Sequence, residues 1–129
     1  MLVLTAFTLT FSACGGDDID ESNPFNNSWV FYNTDKDSKG THTFTFSNGS
    51  VTYTEKWVDE NNYVDIETYN GTYSVDGDII TMKVKRDEFN YWETWVFKWS
   101  LSGKTLTLIP NNEDTKDYWA LTQIVLTKQ

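Results

Sequence analysis

Cysteine, histidine and proline are nearly absent from this chain, and basic residues are scarce. Its 129 residues hold one Cys, one His and two Pro, with ten Lys and Arg against nineteen Asp and Glu. A single cysteine excludes an intramolecular disulfide. A single histidine, His42, excludes a zinc site built on His and Cys and leaves one candidate base for a Ser-His-Asp arrangement. The formal charge of −9 argues against a nucleic-acid partner, whose backbone needs Lys and Arg clustered on one face. Lys83, Lys85 and Arg86 form the one dense basic run, and their alternation with Met82 and Val84 reads as the solvent face of a strand. The apolar opening stretch, residues 2–13, falls well short of the roughly 20 residues that cross a bilayer. What the chain does have is aromatics: 6 Trp, 7 Tyr and 8 Phe, enough at this length for one well-packed core and too many for a disordered chain.

The apolar opening ends in Phe11-Ser12-Ala13-Cys14, and Gly15-Gly16-Asp17-Asp18 follows at once. No strand continues through two glycines and two aspartates, so Cys14 is not the buried end of a first strand. The stretch resembles a bacterial lipoprotein signal, with small residues before a cysteine whose thiol takes a diacylglycerol. That resemblance implies cleavage before Cys14, lipidation of Cys14 and attachment to a membrane through the lipid. The acids Asp17, Asp18, Asp20 and Glu21 resemble the export signal that carries Bacteroidetes lipoproteins to the outer face of the outer membrane. Residues 14–27, polar and holding Pro24, read as a flexible acidic tether, with the domain proper over 28–129.

From Ser28 onward, apolar residues recur with period two, and no stretch of ten or more residues shows helical spacing. His42, Phe44 and Phe46 alternate with threonines up to Asn48-Gly49, a type I′ hairpin signal, and Val51, Tyr53 and Trp57 resume the face. Two further turns copy one another, Tyr73-Ser74-Val75-Asp76-Gly77 and Trp99-Ser100-Leu101-Ser102-Gly103. The runs give about eight strands: 28–33, 40–47, 50–58, 63–69 and 71–75 (or 63–75 as one long bent strand), 78–86, 91–101, 104–109 and 118–127. In the last, a parity switch near Thr122 suggests a bulge. Short loops make an antiparallel up-and-down meander the simplest topology, and closing it into a barrel removes its edges.

Ser28-Trp29-Val30-Phe31, Phe44 to Val51, Gly71 to Asp78 and Leu101 to Leu108 together resemble the lipocalin-like domains of small Bacteroidetes lipoproteins. The resemblance spans most of the domain and implies a β-barrel at the cell envelope that holds a small hydrophobic or amphipathic ligand.

Catalytic chemistry has few candidates. His42 lies within a strand alternation and reads as an interior or rim residue, and most paired carboxylates fall in turns, where Asp suits the backbone. No catalytic residue, cofactor or metal site is expected, and the chain reads as a monomeric binder, not an enzyme. Glu55 shares its parity with Tyr53 and Trp57, and Glu93 shares its own with Trp95 and Trp99. Acids beside aromatics at a barrel mouth suit a cationic, amphipathic or sugar-like ligand, so Tyr53, Glu55, Trp57, Glu93, Trp95 and Trp99 are the candidate binding residues. The competing expectation is a barrel filled by its own side chains, acting as a structural or protein-interaction module.

Overall fold

The computed structural model describes residues 25–34 and 37–129, so Cys14 and the signal and tether up to residue 24 lie outside the described residues. The chain folds into a closed barrel of eight antiparallel strands in which each strand pairs with its neighbours in sequence and the last returns to the first. The strands are β1 (Ser28–Thr34), β2 (Ser38–Ser47), β3 (Ser50–Asp59), β4 (Val64–Asp76), β5 (Ile79–Arg86), β6 (Trp92–Ser102), β7 (Thr105–Pro110) and β8 (Ile124–Lys128).

The turns follow from the residues at them. Asn48 and Gly49 both take positive φ, 50° and 90°, between the paired Ser47 and Ser50, as a type I′ hairpin requires. In the two copied turns Gly77 and Gly103 adopt nearly the same backbone, φ 61° and 60°. Trp99 ties those turns together by donating from its indole Nε1 to the Gly77 carbonyl at 3.0 Å. The long β4 serves two partners, pairing with β3 along its first part and with β5 along its second. At Gly71, where the two pairings overlap, a Cβ would lie 1.8 Å from the Lys83 carbonyl oxygen, so only glycine admits this approach.

Inward-facing aromatics and aliphatics fill the interior. Trp29, Phe44, Tyr53, Met82, Trp95, Phe97 and Leu108 are fully buried, and their rings interlock along the axis, for example Tyr53 edge-on to Trp95 at 5.5 Å. One end is plugged by Phe25, which lies edge-on to Phe46 and Trp99 with centroids 5.4 and 4.9 Å away. Residues 25–27, read as tether from sequence, are therefore part of the packed domain: Asn27 accepts from the Phe46 N–H, and the Asn26 side chain accepts from Asn48 N–H.

The other end is closed by an element that period-two reading does not contain. Residues 113–119 form a short helix, α1 (Glu113–Trp119), where a strand over 118–127 was expected, and β8 begins only at Ile124. Asn112 caps α1 by accepting from Thr115 N–H at 2.9 Å, Glu113 and Asp114 complement its dipole, and Ala120 ends it in the left-handed region. Trp119 and Leu121 are thus not two positions on one strand face, and the parity switch is a helix-to-strand junction, not a bulge. Because β7 and β8 are short, β6 outruns them, and α1 covers the gap: the buried Thr115 hydroxyl accepts from Val96 N–H at 2.9 Å where β7 has ended. The basic run also needs one correction. Lys83 and Lys85 lie on the outward parity, but Arg86 shares the inward parity of Val84 and pairs with Glu67 at 2.9 Å.

Candidate functional site

Antiparallel register lays the inner face of the barrel out in rows, and the two rows nearest α1 hold the polar chemistry. One row runs Phe31, His42, Glu55, Glu67 across β1 to β4, and the next runs Asn33, Gly40, Trp57, Asp65. Gly40 matters because it has no side chain. A Cβ there would lie 2.8 Å from the Trp57 ring and 3.0 Å from Asn33 Oδ1, so the glycine is what lets the indole lie across the strand. With Tyr118, Trp119, Ala120 and Leu121 from the helical end, these rows enclose a cleft of about 690 Å³.

A hydrogen-bonded chain organises its floor. Tyr53 Oη donates to Glu55 Oε1 at 2.8 Å, and Trp57 Nε1 donates to Glu55 Oε2 at 2.8 Å, so the carboxylate is held by both oxygens while remaining partly open to solvent. The Tyr53 proton is committed to the carboxylate, so the 2.7 Å contact with His42 Nδ1 has the imidazole donating and the phenol oxygen accepting. The proton therefore sits on Nδ1, and Nε2 carries the lone pair. His42 is 4% exposed, and its burial lowers the imidazole pKa against the opposing pull of Glu55, so the ring is neutral. Burial likewise pushes the Tyr53 phenol far above its usual range, helped by the Glu55 charge, and raises Tyr118 and Tyr69.

Five buried side-chain polar atoms among the described residues have no partner, and three belong to residues lining this cleft: Asn33 Oδ1, His42 Nε2 and Trp119 Nε1. A buried polar atom without a partner costs about 1–3 kcal/mol, and these three are themselves closed off from solvent, so the polar surface of the cleft is the partly exposed Glu55 carboxylate. The remaining walls are aromatic. Phe31, Trp57 and Trp119 stand around His42 with centroids 5.2, 5.6 and 6.2 Å from its ring. No Lys or Arg lines the cleft among the described residues.

The six candidate residues are distributed unevenly. Glu55 and Trp57 line the cleft, and Tyr53 lies beneath it as the buried link to His42. Glu93 faces inward near the same end, where its Oε1 accepts from the buried Trp95 Nε1 at 3.4 Å. Trp99 lies at the opposite end, against Phe25. Phe31, Asn33, Tyr118 and Trp119 were not among the candidates. The first two follow from extending the β1 alternation, and the last two depend on recognising a helix, whose cue was Asn112 followed by two acids. Outside the cleft, Tyr63, Ile66, Phe89, Tyr91 and Trp92 stand exposed around the rim at this end. Among the described residues no three His, Cys, Asp or Glu side chains lie close enough to hold a metal ion. No family model, curated protein or solved structure matches the chain.

Proposed function

We propose that this protein is a cell-envelope lipoprotein, anchored through lipid on Cys14, whose barrel binds one small amphipathic ligand in the cleft beneath α1. One observation carries the binding reading: a partly exposed carboxylate, Glu55, sits among the aromatic walls of a single cleft. The volume of about 690 Å³ lies within the roughly 300–1,000 Å³ range of small-molecule sites. The filled interior supports a site at the end of the barrel instead of along its axis. A binder is favoured over an enzyme because the cleft lining holds no Ser, Thr, Cys or Lys nucleophile among the described residues.

The test is native mass spectrometry of the full chain extracted from envelopes in mild detergent. A reproducible non-covalent adduct, absent when Trp57 is replaced by Ala, is the expected result. An apo mass in both proteins favours the second reading, a protein-interaction module, for which the exposed aromatics around the rim are the supporting observation. Anchoring is tested separately. Two or more acyl chains hold a protein stably on a bilayer, so Cys14→Ala is expected to move the chain from the membrane pellet to the supernatant, and pelleting of the variant contradicts the lipid anchor.

A further inference from the structure

We infer that the ligand of this cleft carries a cationic, N–H-bearing head, an amine or ammonium group on an apolar body. The inference rests on the binding reading above and adds the chemical class. One charged acceptor opens on the cleft: the Glu55 carboxylate, held by Tyr53 and Trp57 and partly exposed. An ammonium meets that carboxylate with several donors at once.

Charge selects in the same direction. Glu55 brings the cleft a negative charge, and its two bonded donors, Tyr53 and Trp57, are both neutral. The nearest basic side chain on the inner face, Arg86, is engaged by Glu67 at 2.9 Å and Glu88 at 3.4 Å. The walls include the Phe31, Trp57 and Trp119 rings, whose faces attract a cation and repel an anion. A carboxylate-bearing ligand would face Glu55 with no Lys or Arg in the lining among the described residues, and a purely apolar one would leave the Glu55 charge without a counter-charge. The net charge of −9 steers cations toward the molecule as a whole.

Three probes with one aromatic body and different heads separate these possibilities: phenethylamine, phenethyl alcohol and hydrocinnamate, titrated into the full chain and followed by calorimetry. The amine is expected to bind roughly tenfold or more tighter than the alcohol, and the carboxylate weakest. Glu55→Gln is expected to bring the amine and alcohol affinities together, and Phe31→Leu, which leaves the Glu55 chain intact but removes an aromatic wall, to weaken the amine several-fold. If Glu55→Gln fails to fold, the wild-type order and the Phe31 variant decide. Equal binding of amine and alcohol, or tightest binding of the carboxylate, overturns the cationic head while leaving the cleft as a binding site. If all three fail to bind and no adduct accompanies the native protein, the binding reading falls and this inference with it.

Discussion

Burial keeps the His42 imidazole neutral, and this gives the fold a pH dependence of definite sign. In the unfolded chain the ring takes up a proton as pH falls through 6.5, whereas the folded state resists until its lowered pKa is reached. The contribution of His42 is therefore complete above about pH 6.5 and is lost progressively below it. Glu67, raised by its own burial against the pull of Arg86, acts in the opposite sense in a lower window, losing stability as pH rises from 4.5 through its folded pKa. Urea midpoints are expected to drop between about pH 7.5 and about pH 5.5 in the native protein, and to drop less in His42→Phe, which keeps the ring packing without the titration. Equal slopes in the two proteins contradict the buried neutral imidazole. Gly71 carries a different consequence, because a Cβ there meets backbone and not a movable side chain. Gly71→Ala is expected to cost about 1–3 kcal/mol in the same assay, and a neutral result would mean that β4 and β5 approach less closely than described.

Helix α1 has one side-chain contact and one backbone feature that each make a forecast. Thr115→Val keeps the shape but leaves the Val96 N–H buried without an acceptor, at an expected cost of about 1–3 kcal/mol by chemical denaturation. Ala120, at φ 52°, stands where glycine is unstrained, so Ala120→Gly is expected to stabilise the protein by about 0.4–1 kcal/mol. A loss of stability would show that the left-handed end is not formed. The same element marks the limit of what alternation reveals. Strands β1 to β7 and their hairpins were legible because one face is buried and Asn48, Gly49, Gly77 and Gly103 sit where turns need positive φ. Helix α1 was not, since seven residues complete only two turns, too few for a 3.6-residue period to stand out from a period of two. Its legible signal was chemical instead: Asn112, then Glu113 and Asp114.

Taken whole, the molecule is a barrel filled by its own aromatics and stoppered at both ends, by Phe25 at one and α1 at the other. Phe25→Ala removes a fully buried ring from a plug that touches Phe46, Tyr73 and Trp99, and about 3–5 kcal/mol is the expected loss. The position of Phe25 was illegible from sequence because a lone aromatic among polar residues has no periodicity. The candidate site was half legible for a related reason. Parity puts Tyr53, Glu55, Trp57, Glu93, Trp95 and Trp99 on the inner face, but only closure of the barrel shows that Trp99 lies at the end away from Glu55, and that β1 and α1 supply the facing wall. The six tryptophans turn this arrangement into a direct test, since Trp57 and Trp119 line the cleft, Trp29 and Trp95 are core, Trp99 is at the far end and Trp92 is on the outside. The measurement is a nitrogen–proton correlation spectrum of the indole N–H groups during titration with phenethylamine. Movement of the Trp57 and Trp119 signals, with the other four unmoved, is the expected result. Movement led by Trp29 and Trp95, which would place the ligand inside the barrel, or by Trp99 at its other end, would contradict the account.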